Sequence, residues 1–442
     1  MNIKRKIHHQ LLTWKDNPKR KPLILQGARQ VGKTWILKRF GQEYFENTAY
    51  FNFDQQVDLK QLFVTTKDTK RILQNLSLIH GKAIQPHKTL VIFDEIQECN
   101  EALNTLKYFC EDAPEYVIAC AGSLLGVAMS RGASFPVGKV DFIQVYPVTF
   151  SEFLAEADPN LYAYLDSLDK IGPIPDIFFH PLVDKLKMYY ISGGMPESIV
   201  TLLEKQDVGQ TQQVLQNILN AYTLDFSKHV ENKSIPKINY TWASLPSQLA
   251  RENKKFLYQS IKQGARAREY EDALLWLINA GLAYRVYCST KPALPLSAYD
   301  DLSAFKLYLP DVGLLRRLSL LDPVAIVEGN RLLTEFKGAL TENYILESLI
   351  QQFEGTPRYW KSENMAEVDF LVQFKNEIIP IEVKADGNIR SKSLTFYRKQ
   401  YNPRLSVRYS LKNLEFNEGV VNIPLFMADY TQIILSWCKE NK

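Results

Sequence analysis

The sequence predicts an α/β protein built on a parallel sheet, and three observations predict it. Over residues 21–148, short apolar runs alternate with helical stretches. A glycine-rich octapeptide at 27–34 joins the first apolar run to the first helical stretch. A third run, Leu90-Val91-Ile92-Phe93, is wholly apolar and ends in Asp94 and Glu95, at the end of a strand where open α/β sheets bind ligands.

Taken in order, 22–25 is a strand and 33–40 opens a helix. Residues 49–53 alternate as a strand, 59–78 carry helical periodicity, and 90–93 form the buried central strand. A helix over 102–110, a strand over 116–120 and a strand over 140–145 close the series. Beyond residue 151 the pattern turns helical to about 233. Residues 245–285 contain two or three helices, the last running from 269 to 280 and stopping at Gly281. Strand-like segments follow at 283–287 and 305–309, and a long helix over 335–352 begins a different block. The expected domains are 1–155, 156–235, 236–330 and 331–442.

The 442 residues allow two to four domains. Their 46% hydrophobic and 23% charged content suits folded domains with cores of their own. A net charge of +4 permits a nucleic-acid partner without demanding one. Cys99, Cys110, Cys120, Cys288 and Cys438 are scattered, with no metal-ligand spacing, which points to reduced thiols rather than a disulfide framework. The basic start is not followed by an apolar stretch, and no run is long enough to cross a membrane. The expectation is a cytoplasmic protein with no membrane partner.

The octapeptide reads Gly27, Ala28, Arg29, Gln30, Val31, Gly32, Lys33, Thr34, the pattern G-x-x-x-x-G-K-[ST]. Glycines let backbone N–H groups wrap phosphates without Cβ clashes, and the helix N-terminus adds a favourable dipole. Lys33 is expected on the β- and γ-phosphates of ATP, and the Thr34 hydroxyl on Mg2+. Asp94 is expected in the magnesium shell, and Glu95 as the group that polarises the attacking water. Ser123, after the strand at 116–120, either senses the γ-phosphate or is a plain turn residue. Arg131 and Lys139 are candidate arginine-finger positions, should nucleotide lie between subunits; each also reads as a solvated charge.

Together these motifs resemble the AAA+-type P-loop ATPases, and in particular a bacterial and archaeal group with an uncharacterised C-terminal domain. The residues that carry the resemblance are Gly27 to Thr34, Phe93-Asp94-Glu95 and Ala121-Gly122-Ser123. Tyr146-Pro147-Val148-Thr149-Phe150-Ser151-Glu152-Phe153 and Ser192-Gly193-Gly194-Met195-Pro196-Glu197 add to it. The resemblance implies a P-loop NTPase parallel-sheet core, a helical lid, a winged-helix-like segment and a restriction-endonuclease-like α/β domain. Many members of the group carry arginine where this chain has Lys139.

The C-terminal block supports a separate reading. Strands at 367–374 and 378–385, joined by a short turn, pair Phe374 with Glu377 and set Asp369 opposite Glu382. Val368, Phe370 and Val372 then share an apolar face with Ile379, Ile381 and Val383, which supports that register. Asp369, Glu382 and Lys384 fall on the other face. Carboxylates set opposite each other repel, and a divalent cation would turn that repulsion into a site. The arrangement resembles the D…E-x-K of PD-(D/E)xK nucleases, with Glu342 as the helix-borne acid. Glu342, Asp369 and Glu382 are expected metal ligands and Lys384 a catalytic residue. A solvated face with Lys384 neutralising the acids is the alternative.

Arg251, Lys254, Lys255, Lys262, Arg266 and Arg268 are candidate phosphate contacts, interleaved with Tyr258, Tyr270 and Trp276 at spacings that also suit packing. Lys392, Arg398 and Lys399 could track a backbone. The expectation is an ATPase coupled to a nuclease-like domain acting on DNA or other nucleic acid, as a homo-oligomer or with a protein partner. The alternative is a nucleotide-switched, partner-binding protein whose last domain does not cleave.

Overall fold

A computed structural model describes residues 3–123, 135–230, 232–251, 253–328, 334–363, 366–385 and 391–440. Arg131 lies outside them. The chain forms two compact units. The first is Arg5–Tyr146 with Asn279–Leu282; the second is Pro147–Ile278 and Ala283–Lys442, with the N-terminal residues up to Lys4. The long stretch of the first unit ends at Tyr146, and the residues on either side of the expected boundaries near 235 and 330 belong to one compact unit.

The first unit is a five-stranded, all-parallel sheet. Its strands are β1 (Leu23–Gln26), β2 (Asn47–Asn52), β3 (Thr89–Asp94), β4 (Val117–Ala121) and β5 (Asp141–Gln144). Their spatial order is β2-β3-β4-β1-β5. Every residue of β3 and β4 is buried, which a strand covered on both faces requires and their unbroken apolar runs supply. On one side Phe51, Phe53, Phe63, Phe93 and Phe109 form a chain of tilted and edge-on rings with centroids 5.5–6.4 Å apart. The helical stretch expected over 59–78 is two helices, Asp58–Thr65 and Thr69–His80. Asp68 breaks it: its carboxylate accepts from the amides of Lys70 and Arg71 and starts the second helix as an N-cap. Gly81, at φ 76°, ends that helix.

In the second unit, helices cover most of 150–229, as expected, and the next helix, Ile235–Leu249, starts before the 245–285 stretch in which further helices are expected. The first, Phe150–Ala157, opens with a capping box: Thr149 Oγ1 accepts from Glu152 N and Glu152 Oε2 from Thr149 N. An eight-stranded mixed sheet follows. It comprises β6 (Tyr284–Ser289), β7 (Asp300–Tyr308), β8 (Arg358–Lys361), β9 (Glu367–Phe374), β10 (Glu377–Val383), β11 (Ser406–Ser410), β12 (Glu415–Asn417) and β13 (Val420–Pro424). Their order is β12-β13-β11-β10-β9-β8-β6-β7. The β6–β7 hairpin, expected within a separate winged-helix-like segment, is part of this sheet: Cys288 and Ser289 pair in parallel with Tyr359 and Trp360. β8 takes the β6 side of the hairpin, and β7 is the end strand of the sheet.

The β9–β10 register is the one the apolar alternation predicts. Glu377 pairs with Phe374, and the ladder runs on to Ile381 and Phe370. Val368, Phe370, Val372, Ile379, Ile381 and Val383 are all buried.

Candidate functional site

The first unit gathers its motif residues at the C-terminal ends of β1, β4 and β3. Because β4 lies between β1 and β3, the loop after β1, Ser123 after β4 and Asp94-Glu95 at the end of β3 stand side by side. Gly27 has φ 147°, and a Cβ there would lie 2.1 Å from the Val145 carbonyl oxygen, so no other residue fits. Gln30 (φ 66°) and Gly32 (φ 93°) are also left-handed and wind the loop into a concavity. Helix Lys33–Tyr44 begins inside that concavity with no side chain capping it, so its first-turn N–H groups remain available to an anion.

Lys33 is buried and donates to the carbonyls of Gly27 (2.9 Å) and Ala28 (2.7 Å). Burial pulls its ammonium down to about pKa 8, against the opposing charges of Glu95 and Asp94. Thr34 Oγ1 donates to Asp94 at 2.9 Å from Oδ1 and 3.1 Å from Oδ2. Two further donors, absent from the sequence expectation, hold the same carboxylate. Tyr50 OH lies 2.7 Å from Asp94 Oδ2, and Asn52 Nδ2 lies 3.4 Å from it. Burial first, then the charge of Asp94, pushes the Tyr50 phenol up to about 12, so it stays a donor. The Lys38 ammonium sits 3.5 Å from the centre of the Tyr50 ring. Period-2 alternation along β2 was the one available signal, since it puts Tyr50 and Asn52 on a common face.

Glu95 stands in left-handed backbone (φ 51°), an unusual conformation that turns its side chain off the strand line. Its Oε2 accepts from Gln97 Nε2 at 2.5 Å and from Ser123 Oγ at 3.3 Å. Ser123 is thus in contact with the acid that sequence reading made the base, and Gln97 is a partner it missed. Lys139 is half-buried and paired with Glu111 at 2.8 Å. That pair is the solvated-charge alternative for this position.

In the second unit a buried charge cluster lies on β7, β9, β10 and helix Thr334–Gln352. Asp369 Oδ2 accepts from the Val383 amide at 2.7 Å. Lys384 Nζ is 2.7 Å from Glu382 Oε1, while the buried Glu382 Oε2 has no hydrogen-bond partner among the described residues. Burial, then the charges of Glu342 and Glu382, push the Asp369 carboxyl well above the usual range. Asp369, Glu382, Lys384 and Glu342 are therefore brought into one electrostatic neighbourhood.

Three members of this cluster were missed. Lys254, taken as a phosphate contact, turns inward to Glu342 Oε1. Tyr308 OH donates to Glu342 Oε2 at 3.1 Å. Lys306, with no exposed surface, lies 2.5 Å from Glu367 Oε1 and 4.0 Å from Glu342 Oε2. Burial opposes its charge, but Tyr308, Glu367, Glu342 and Asp369 hold the ammonium well above the ordinary lysine range. Burial likewise opposes the charge of Glu342, yet Lys254 and Lys306 keep its carboxyl below the usual value. The signal was a lysine inside the apolar strand Ala304-Phe305-Lys306-Leu307-Tyr308. Among the described residues no three His, Cys, Asp or Glu side chains converge to hold a metal ion. Glu342 and Glu382 are compensated by lysines rather than by a metal cage.

Of the interleaved aromatics, Tyr270 and Trp276 are buried and Tyr258 OH bonds to Glu271, which is the packing reading. Lys262, Arg266 and Arg268 are candidate contacts still, with Arg266 and Arg268 exposed. Arg398 donates to the Glu418 carbonyl, while Lys399 is exposed.

Sheet order, phosphate loop and acidic strand end together make the first unit a P-loop NTPase core. In agreement, residues 19–154 match the model of an AAA domain. Residues 183–325 and 337–427 match two domains of unknown function, DUF8612 and DUF4143. No curated protein matches the chain significantly. Solved structures that it resembles include a Walker-type ATPase of Pyrococcus abyssi, with 14% identity and a TM-score of 0.46 over 72% of this chain and 96% of that one. The Thermotoga maritima RuvB Holliday junction branch migration motor matches with 13% identity and a TM-score of 0.30, over 64% and 90%. Aeropyrum pernix Orc1, solved in complex with DNA, matches with 11% identity and a TM-score of 0.28, over 74% and 95%. No described helix is long and apolar enough to cross a membrane.

Proposed function

We propose that the first unit binds ATP with Mg2+ and hydrolyses it, and that turnover is coupled to the nuclease-like second unit acting on nucleic acid. The observation that carries the ATPase reading is that Lys33, Thr34, Asp94, Glu95 and Ser123 gather at the C-terminal ends of β1, β4 and β3. The loop from Gly27 to Thr34 cradles the phosphates with its amides, and Lys33 leaves the Gly27 and Ala28 carbonyls to meet the β- and γ-phosphates. Thr34 and Asp94 supply the hard oxygens that suit Mg2+, which neutralises phosphate charge when bound. Glu95, released from Gln97, orients the attacking water, and Ser123 reports the γ-phosphate. Lys33→Ala is expected to abolish ATP binding and hydrolysis; retained hydrolysis in that variant would sink the reading.

For the second unit, the D…E-x-K face of β9 and β10 supports metal-assisted phosphodiester hydrolysis: Asp369, Glu382 and Glu342 would hold the ion, and Lys384, paired with Glu382, would orient a water. A specific observation favours a second reading, a nucleotide-switched protein that binds a partner without cleaving: Lys254 and Lys306 already compensate the acids. Cleavage of linear, nicked and branched DNA with Mg2+ or Mn2+, with and without ATP, separates the two. Activity lost in Asp369→Ala with ATPase intact supports the nuclease; ATPase activity without cleavage supports the switch.

A further inference from the structure

One short segment of the first unit comes from far along the chain. Asn279–Leu282 runs from the end of helix Ala267–Asn279 toward β6, yet it belongs to the compact unit that holds the phosphate loop. Ala280 and Leu282 are buried, and Gly281 turns the chain between them at φ 72°. A Cβ at Gly281 would lie 3.2 Å from Ala28 N, 3.5 Å from Ala28 Cα and 3.7 Å from the Gly27 carbonyl carbon. Those three atoms belong to one planar peptide unit, Gly27–Ala28, and move together.

The same peptide carries the Gly27 carbonyl, which accepts from Lys33 Nζ at 2.9 Å, and the Ala28 carbonyl, one unit on, accepts from it at 2.7 Å. Its other backbone neighbour is Val145, whose amide is tied to Gln26 O at 2.7 Å and whose carbonyl would clash with a Cβ on Gly27. When Lys33 turns to a phosphate, both carbonyls lose a charged donor inside the protein, and a buried carbonyl must then find another partner. The Gly27–Ala28 peptide turns to do so, and Gly281 is the backbone it turns against. Gly81 provides the comparison. It ends helix Thr69–His80 in left-handed backbone too, at φ 76°, but nothing among the described residues lies within 4 Å of a Cβ there. The helix-stop role of such a glycine is thus separable from the contact that Gly281 makes.

We propose that Gly281 is a positioning residue of the phosphate loop, and that the segment Asn279–Leu282 follows the Gly27–Ala28 peptide as nucleotide binds. The inference rests on the ATP-binding reading of the first unit. It gives nucleotide occupancy a covalent way out of that unit, because β6 begins at Tyr284, two residues past Leu282. By linkage, whatever restrains the segment also restrains the loop, so a methyl group on Gly281, which narrows the room in which the peptide turns, opposes nucleotide binding.

The test uses the full-length protein with a non-hydrolysable, fluorescent ATP analogue and Mg2+, read by titration and by hydrogen–deuterium exchange. In the unaltered protein, amide exchange over residues 279–285 is expected to change several-fold when the analogue binds. Gly281→Ala is expected to weaken binding about fivefold or more. Gly81→Ala, which carries the same left-handed strain without the contact, should leave it unchanged. Binding of the analogue with unchanged exchange over 279–285 overturns the proposal and leaves the ATP reading standing, whether or not Gly281→Ala folds. Equal affinities in the Gly281→Ala and Gly81→Ala proteins also overturn it, since Gly281 is then a helix stop and nothing more. No binding of the analogue by the unaltered protein overturns the ATP reading and this one with it.

Discussion

Lys33 is the residue on which the nucleotide site turns. With its ammonium lowered to about 8 by burial, the folded chain sheds this proton between roughly pH 8 and 10.5, where an unfolded lysine keeps it. The unfolded state then binds more protons, so stability rises with pH through that window. Phosphates need the charged form, so ATP affinity should run the other way. A fluorescent-nucleotide titration is expected to show affinity weakening as pH passes 8, approaching about tenfold per unit. A flat profile to about pH 9.5 would mean that Lys33 is not the phosphate contact. Tyr50 makes a second residue-level prediction. Tyr50→Phe removes a charge-assisted bond to Asp94, worth about 1.5–3 kcal/mol. The apparent Mg2+ requirement for hydrolysis should rise about tenfold or more while nucleotide binding without metal stays unchanged.

At the scale of elements, the segment Ser192-Gly193-Gly194 shows how a sequence signature becomes a joint. Asp311 caps helix Val312–Leu318 through Leu314 N at 2.8 Å and takes the Gly194 amide at 2.5 Å with its other oxygen. Gly193, at φ 64°, leaves no room for a side chain: a Cβ would lie 2.2 Å from Asp311 Oδ1. Gly193→Ala is expected to cost about 3 kcal/mol or more, from overpacking and a left-handed backbone together, read as a fall in the denaturant midpoint. Burial also raises the Asp311 carboxyl from 3.8 to about 6, against the hydrogen bonds from Gly194 and Leu314. The folded state keeps this proton to about pH 6 while the unfolded state loses it near 3.8, so stability falls as pH rises between them. Asp311→Asn should flatten that slope in unfolding measurements from about pH 4 to 7. A slope that survives would assign it to another acid.

For the whole molecule, the position of β6 and β7 decides what can fold alone. They close the β8 edge of the sheet, and β7 carries Lys306 and Tyr308 to Glu342. A fragment of residues 331–442 would expose a strand edge and leave Glu342 buried without Lys254, Lys306 or Tyr308. It is expected to be aggregated or unfolded by circular dichroism, while a fragment of 147–442 folds cooperatively. A stable, monomeric 331–442 would restore the boundary near residue 330.

Much of this was legible in the sequence because its causes are local. The phosphate loop, the strand carrying Asp94 and Glu95, and the β9–β10 register follow from patterns of a few residues: glycines where the backbone must turn left, unbroken apolar runs in a doubly covered strand, period-2 alternation in a hairpin. The break at Asp68 inside an apparently continuous helix was legible in principle, since a cap is also local. What the tertiary structure alone decided lies between segments distant in the chain. Tyr50 and Asn52 reach Asp94 only because β2 pairs with β3, and β6 joins β8 from far along the chain. Lys254 and Lys306 meet Glu342 only because burying charge requires an opposite charge from wherever the fold can supply one. No spacing in the sequence records which lysine that will be, since it is chosen by packing and not by local periodicity.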